Sequence, residues 1–219
     1  MNAQKHVILF NGPPRSGKDT AADIAIDYFQ NLHCQVSRYS VAHPLKKAVH
    51  ALFGLNVPVD EYEDRKSTPL PEFFGSTPRQ AYIDLSEKFA KPHYTPDFFA
   101  KVAVQYIKNL PNSVIVVSDC GFKAELNAII QEFGEENVRL VRIYRPGTSF
   151  GNGFNGLMER IRYYVLRLLG KKPNKPVKDS RSYLHSENSI EIQNDGDIHD
   201  LSHRIEYMCA KLTNDWGLV

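Results

Sequence analysis

The chain has 219 residues, of which 42% are hydrophobic and 24% are charged. A chain of this size and composition suits one globular α/β domain that buries about 70% of the surface exposed by the unfolded chain. The net charge of +2 is too small to indicate nucleic-acid binding by itself. No stretch approaches the roughly 20 apolar residues of a membrane-spanning helix.

The cysteines and the first residues bear on the cellular compartment. Cys34, Cys120 and Cys209 are odd in number and share no metal-ligand spacing, which argues against a disulfide framework and is typical of a reducing compartment. The first residues lack the apolar stretch and the cleavage site of a signal peptide. We therefore expect a cytoplasmic protein with no membrane partner.

Five short strands are predicted in chain order, with helical or polar stretches between them. The first strand, Val7 to Phe10, precedes a turn and then a helix with one apolar face. This alternation predicts a parallel sheet with helices on both faces, whose ligands collect at the carboxyl ends of the strands. The later strands are 35–39, 114–118, 139–144 and 189–193, and a terminal helix presents Leu201, Ile205, Met208 and Leu212 to the core.

The turn after the first strand carries the strongest pattern. Gly12 to Lys18 has the spacing G-x-x-x-x-G-K between a predicted strand and a predicted helix. In such a turn backbone N–H groups point at phosphate oxygens, the helix N-terminus adds positive potential, and the lysine reaches the β- and γ-phosphates. We predict a nucleotide phosphate site that consists of Gly12, Ser16, Gly17, Lys18, Asp19 and Thr20.

Three oxygen-bearing side chains are candidates for Mg²⁺. Asp19 stands where most turns of this kind have a serine or threonine, and the hydroxyl follows only at Thr20. A carboxylate also holds Mg²⁺, directly or through water. Asp119 follows the apolar strand at the ligand-binding edge, so it is a candidate for Mg²⁺ or for the acceptor, with a helix N-cap as the alternative.

The sequence from Arg15 to Thr20 resembles the P-loop of phage-type deoxynucleoside monophosphate kinases, and it is also similar to that of animal phosphomevalonate kinases. The likeness to the first family continues in order along almost the whole chain. The further matches are Pro44-Leu45-Lys46, Thr77-Pro78-Arg79, Ser118-Asp119 with Phe122 and Glu125, Arg145-Pro146-Gly147, His185-Ser186-Glu187 and Ile192-Gln193-Asn194-Asp195-Gly196.

The chain departs from the family pattern at two places. Gly121 stands where the family usually has an arginine, and the insertion from Thr148 to Tyr183 is longer than the family leads us to expect. Both departures concern the identity of the acceptor more than the reaction.

The resemblance implies a P-loop nucleoside monophosphate kinase-like fold in one domain. Its core would be 1–39, 109–147 and 184–219, with an acceptor-binding helical segment at 40–108 and a mobile basic lid insertion at 148–183. The implied reaction transfers the γ-phosphate of ATP, with Mg²⁺, to a deoxynucleoside monophosphate.

An enzyme catalyses phosphoryl transfer mainly by positioning two phosphates and neutralising the charge between them. Cationic side chains should therefore contribute most of the catalysis. The candidate catalytic residues are Lys18, Arg15, Arg145 and Arg181. The acceptor-binding candidates are Lys46, Arg79, Asp119, Glu125, His185 and Glu187. Small nucleotides are the expected partners, without stable nucleic-acid binding, and a homodimer is left open.

Several alternatives stay open from the sequence. Arg15 and Lys46 can be solvent-side charges, Arg79 a surface ion pair, Glu125 a solvated side chain and His185 a structural histidine. The acceptor can be another small phosphorylated metabolite. A different class of function is a nucleotide-gated module whose basic insertion holds nucleic acid.

Overall fold

The structure is a computed structural model that describes residues 4–150, 161, 164–170 and 181–218. The rest of the predicted lid insertion, 151–160, 162–163 and 171–180, lies outside the described residues. Within them the chain forms two compact units, Met1–Arg38 with Pro111–Val219, and Tyr39–Leu110. The limits of the second unit are close to those of the predicted segment 40–108, whose role in acceptor binding stays a prediction.

The first unit is built on a five-stranded sheet in the order β2-β3-β1-β4-β5. The pairs β1–β3, β1–β4 and β4–β5 are parallel, and Val114 N donates to Gln35 O at the start of β2 and β3. The predicted α/β class with a five-stranded parallel sheet is thereby confirmed. The strands are β1 (His6–Asn11), β2 (Val36–Tyr39), β3 (Val114–Val117), β4 (Val138–Tyr144) and β5 (Ser189–Gln193).

The α-helices whose two ends lie within the described residues are α1 (Lys18–Asn31), α2 (His43–Leu52), α3 (Pro78–Ile83), α4 (Lys91–His93), α5 (Phe98–Asn109), α6 (Lys123–Phe133) and α7 (Ile198–Trp216). A π-helical segment, Asp84–Ala90, connects α3 to α4. Short 3₁₀ turns occupy Val59–Tyr62, Pro71–Phe73 and Glu135–Asn137. Helices α1, α6 and α7 belong to the first unit, and α2 to α5 belong to the second.

The core of the first unit follows from the alternation of side chains along buried strands. Ile8 and Phe10 of β1 face one side, where they pack with α1 and α7. The predicted apolar face of the terminal helix is confirmed, because Leu201, Ile205, Met208 and Leu212 are all buried in this cluster. Val7 and Leu9 face the other side, where α6 lies against β1 and β4.

The second unit has a small core of its own, formed by Val49, Tyr62, Leu70 and Phe73. His50 is buried beside them, and its Nε2 lies 3.0 Å from Tyr82 Oη. None of the helices in the described part of the chain combines the length and the apolarity that a bilayer crossing needs.

Candidate functional site

The predicted phosphate turn lies at the carboxyl end of β1, directly before α1. Arg15 has a φ of 67° and Gly17 a φ of 92°, so the chain is left-handed at two of the positions between Asn11 and Lys18. Glycine adopts this conformation without the Cβ clash that other residues meet. Gly17 is also the N-cap of α1, and as a glycine it has no side chain with which to cap the helix, so a ligand can reach its first N–H groups.

Gly12 and Ser16 make the interior of the turn very tight. A Cβ atom added at Gly12 would lie 2.6 Å from Ser16 Oγ and 3.0 Å from the backbone oxygen of Ile143. Ser16 is fully buried, and its hydroxyl has no hydrogen-bond partner among the described residues. Since an unpaired buried hydroxyl is costly, Ser16 Oγ fits a site that is completed by a polar ligand such as a phosphate.

Asn194, a residue distant in sequence, contacts the backbone of the turn. It follows β5 and is buried, and its Nδ2 donates to Ser16 O at 2.8 Å. A Cβ at Gly17 would lie 2.4 Å from the same Nδ2. In the sequence, Asn194 is named only within a family match; the signal that could have found this contact is an amide residue directly after a predicted strand.

The charged residues that follow the turn, at the start of α1, form ion pairs. Lys18 is half-buried, and its Nζ lies 3.3 Å from Asp19 Oδ2. Arg38 of β2 has an Nη2 atom 3.6 Å from Asp19 Oδ1, and it also binds Asp23 one turn along α1. Arg38 therefore holds the carboxylate that replaces the usual hydroxyl, and sequence reasoning missed it. Arg15 and Thr20 are exposed.

Asp119 is half-buried beyond the carboxyl end of β3, at the same edge of the sheet as the turn. The N-cap of the following helix α6 is Phe122, so the alternative interpretation of Asp119 as that N-cap is wrong. Its neighbour Cys120 is buried, and this burial raises the pKa of the Cys120 thiol well above its usual range. Cys120 is thus an inert thiol.

Glu125 supports the backbone between β3 and α6. Its Oε2 accepts hydrogen bonds from Gly121 N at 2.9 Å and from Phe122 N at 3.0 Å. Because Glu125 is only 6% exposed, its interpretation as a solvated side chain is wrong. The structure gives this carboxylate a helix-capping role, and acceptor binding by Glu125 stays a prediction.

Asn11 at the end of β1 connects three parts of the first unit. Its Nδ2 donates to Cys120 O at 2.8 Å and to Ser182 O at 3.1 Å, and its Oδ1 accepts from Leu184 N at 3.1 Å. A fully buried asparagine that satisfies three backbone groups fixes the segment at the carboxyl edge of the sheet. Sequence reasoning did not single out Asn11, although a polar residue directly after a buried strand was a visible signal.

Two of the residues predicted to be catalytic are arginines, Arg145 and Arg181. Arg145 is exposed directly after β4, where its backbone oxygen accepts from Thr148 N at 3.2 Å in a turn. Arg181 is half-buried, and its side chain lies against Gly121 at the exit of β3. The structure therefore places Arg181 at the same edge of the sheet as Lys18 and Asp119.

Two further acceptor candidates, His185 and Glu187, follow Arg181 in the chain. Arg142 of β4 places Nη1 2.8 Å from His185 Nδ1 and Nη2 2.6 Å from Glu191. Arginine only donates, so Nδ1 accepts and the proton of the neutral ring is on Nε2. Glu187 precedes the amino end of β5, the opposite end of that strand from Asn194. This arrangement gives His185 a structural role and does not bring Glu187 to the phosphate turn.

The remaining acceptor candidates, Lys46 and Arg79, belong to the second unit. Lys46 forms an ion pair with Glu63, whose other oxygen lies 2.6 Å from Lys66 Nζ. Burial opposes ionisation of Glu63, but the hydrogen bonds from the two lysines outweigh it and hold the pKa of Glu63 below its usual value. Arg79 is exposed, and its Nε donates to Ser67 Oγ at 3.2 Å.

The residues of the first unit fit a divalent cation only as part of a nucleotide site. Among the described residues no group of three or more His, Cys, Asp or Glu is arranged to hold a metal ion. Mg²⁺ commonly needs one or two protein oxygens beside phosphates and water. Asp19, Thr20 and Asp119 offer such hard oxygen donors at the carboxyl edge, so this donor set fits Mg²⁺ bound together with phosphates.

The fold and the turn together define an α/β protein with a five-stranded parallel sheet, flanking helices and a glycine-rich phosphate-type loop at the carboxyl end of its central strand. A scan against protein-family models found no match, and neither did a search of curated protein sequences.

Solved structures with a similar course of chain include several kinases. A gluconokinase from Sinorhizobium meliloti is 9% identical over 99% of this chain and 98% of its own, with a TM-score of 0.43. An APS kinase from Mycobacterium tuberculosis, in complex with AMPPNP and APS, is 10% identical over 98% and 99%, with a TM-score of 0.43. Kti12 from Chaetomium thermophilum with ADP-AlF3 is 12% identical over 94% and 97%, with a TM-score of 0.44. Similarity at this level assigns no activity or substrate to this chain.

Proposed function

We propose that this protein is a P-loop kinase that transfers the γ-phosphate of ATP to a deoxynucleoside monophosphate, giving the deoxynucleoside diphosphate and ADP. The observation that carries the proposal is the turn 12–17, which is left-handed at Arg15 and Gly17 and has no room for a Cβ at Gly12. A turn of this shape presents backbone N–H groups and an uncapped helix N-terminus to an anion. The acceptor class is supported by the ordered sequence matches to phage-type kinases.

Lys18 is the proposed main catalytic cation. It begins α1, and its side chain is only 15% exposed, so the ammonium group is held close to the turn. With a triphosphate present, this ammonium would donate to the phosphate oxygens that gain charge during transfer. Bound ATP supplies the phosphoryl group and Mg²⁺ neutralises phosphate charge, while Asp19, Thr20 and Asp119 are the residues that would hold the cation.

The acceptor is proposed to bind to two cations of the second unit, Arg79 and Lys46. Arg79 offers a planar fork of donors that matches a phosphate monoester, and Lys46 is a second cation whose position is fixed by Glu63. Arg145 and Arg181 are proposed to neutralise charge on the transferred group. Small nucleotides are thus the proposed partners.

A coupled assay for ADP release over a panel of acceptors tests the proposal. The panel contains the common deoxynucleoside monophosphates, the matching ribonucleotides and phosphomevalonate. We expect acceptor-dependent turnover with at least one deoxynucleotide. Equal ADP release without any acceptor would overturn the kinase assignment, and turnover confined to phosphomevalonate would change the acceptor.

The site assignment is tested with Lys18→Ala and a matched control. Lys18→Ala should lower turnover by about a hundredfold or more while the far-UV spectrum and the melting temperature stay unchanged, because one charge-stabilising donor is removed. Lys123→Ala removes an exposed lysine from the first turn of α6 and should leave turnover unchanged. Near-normal turnover in Lys18→Ala would refute this site.

A further inference from the structure

The segment 181–185 is attached firmly to the ends of the central strands. Ser182 and Leu184 bind the side chain of Asn11 through their backbone oxygen and nitrogen. Asn11 is fully buried, so both hydrogen bonds are protected from water. The segment is therefore fixed at the carboxyl edge of the sheet on both sides of residue 183.

Tyr183 adds a third attachment. Its Oη donates to Ile143 O at 3.2 Å, and its ring stacks on Tyr144 with centroids 4.3 Å apart. Burial raises the pKa of the Tyr183 hydroxyl, so it stays protonated and remains a donor at neutral pH. Three consecutive residues thus fix the backbone that follows Arg181.

Gly121 provides the space into which the Arg181 side chain is packed. A Cβ atom added at Gly121 would lie 2.8 Å from Arg181 Cδ and 2.9 Å from Arg181 Cγ, closer than real Cβ contacts allow. The backbone of Gly121 is not in the left-handed region, so its φ does not demand glycine. A side chain at position 121 would therefore displace the arginine side chain that crosses it.

We propose that Gly121 is a positioning residue that sets the Arg181 side chain across the exit of β3, so that Arg181 contacts a phosphate of the bound substrates. The proposal rests on the proposed function. The carboxyl edge of a parallel sheet is where anionic ligands bind, and Lys18 and Asp119 lie at this edge. The attachments of residues 182–184 fix the backbone beside Arg181, and its side chain lies across Gly121. The side chain therefore loses little further conformational entropy when its guanidinium binds an oxyanion.

The two positions can be separated by a double-mutant cycle. Gly121→Ala puts a methyl group into the space of Arg181 Cγ and Cδ, which should displace the arginine and lower turnover by about tenfold to a hundredfold. Arg181→Ala should lower turnover by about a hundredfold. Alanine at 181 keeps only a Cβ, which lies 3.6 Å from the added methyl, an ordinary contact.

The double variant is therefore expected to have the turnover and the melting temperature of Arg181→Ala alone, because Gly121→Ala has nothing left to displace. Arg181→Lys should recover part of the turnover in the wild-type background and less beside Gly121→Ala. The proposal is overturned if the effects of Gly121→Ala and Arg181→Ala on turnover are additive, or if Gly121→Ala leaves turnover unchanged.

The affinity of the wild type and the three variants for a fluorescent ATP analogue is measured as well. This second readout lets the present proposal be tested independently of the proposed function. If the wild type shows no acceptor-dependent turnover, the kinase assignment fails. The affinities for the analogue then decide whether Gly121 positions Arg181 for a phosphate contact. Weaker binding in both single variants, with no further loss in the double variant, supports positioning by Gly121. Unchanged affinity in every variant then overturns it.

Discussion

The side-chain amide of Asn194 donates to the backbone oxygen of Ser16 at 2.8 Å, across 178 positions of sequence. The contact connects the turn after β1 to the end of β5, and both residues are buried. It restrains the turn in the shape that exposes its N–H groups to a ligand.

We predict that Asn194→Ala weakens both the fold and nucleotide binding. Loss of the donor leaves the buried Ser16 oxygen without this partner, which costs about 1–3 kcal/mol. Urea unfolding and titration with an ATP analogue measure the two effects. Asn109→Ala, which removes an exposed amide from the end of α5, is the control and should change neither. An affinity equal to that of the wild type would show that Asn194 does not shape the turn.

Asp19 is predicted to control the requirement for Mg²⁺. Asp19→Ala should raise the Mg²⁺ concentration needed for half-maximal turnover, whereas Asp19→Ser should stay close to the wild type, because a hydroxyl also binds the cation. Asp19 and Asp23 both pair with Arg38, so Asp23→Ala is a matched control that disturbs the same arginine. If Asp23→Ala raised the Mg²⁺ concentration for half-maximal turnover equally, the effect would come from the disturbed Arg38 and not from a lost metal ligand.

Glu125 is predicted to affect stability more than acceptor binding. Glu125→Ala removes the acceptor of two backbone N–H groups near the start of α6 and should cost about 1–3 kcal/mol of unfolding free energy. Glu125→Gln keeps one oxygen and should lose less. Thermal melting and the acceptor KM of both variants are to be compared with Glu132→Gln, which changes an exposed carboxylate near the end of the same helix. A raised acceptor KM at unchanged melting temperature would instead make Glu125 a substrate-binding residue.

His6 makes stability depend on pH. It is buried and stacks on Trp216 with ring centroids 4.6 Å apart, and burial, aided by the charge of Arg139, lowers the pKa of His6 below its usual range. The unfolded chain therefore binds the proton first as the pH falls, and the free energy of unfolding decreases below about pH 6.5. Above that value both states are neutral at this residue and the effect vanishes.

The measurement is urea unfolding between pH 5 and pH 8 for the wild type and for His6→Phe, which keeps an aromatic ring against Trp216. We expect the slope of stability against pH to be smaller in His6→Phe over the acidic half of this range. An unchanged slope would mean that other groups dominate the acid sensitivity.

The strands and the turn could be predicted because their signals are local. An unbroken apolar run such as Val114 to Val117 indicates a strand buried on both faces, and the spacing from Gly12 to Lys18 belongs to one continuous stretch. The stripe on α7 follows from helical periodicity alone. None of these three predictions needs knowledge of a distant residue.

Gly121 and Arg181 illustrate what such signals leave out. In the sequence the glycine and the long insertion are two unrelated departures from the family pattern. In the structure they are adjacent, because the insertion returns to the sheet with Arg181 lying across Gly121. The contact depends on how segment 181–184 binds Asn11, 171 positions away from Ser182.

The sequence by itself determined the α/β class, the order of the strands along the chain and the glycine-rich turn, since each depends on neighbouring residues. Only the tertiary structure decided which backbone groups Asn11 and Asn194 bind at the carboxyl edge of the sheet. It also decided that Glu125 caps backbone amides and that Gly121 accommodates an arginine. The physical reason is that hydrogen bonds and van der Waals contacts act over a few ångströms, and only folding brings residues that are far apart in sequence within that range.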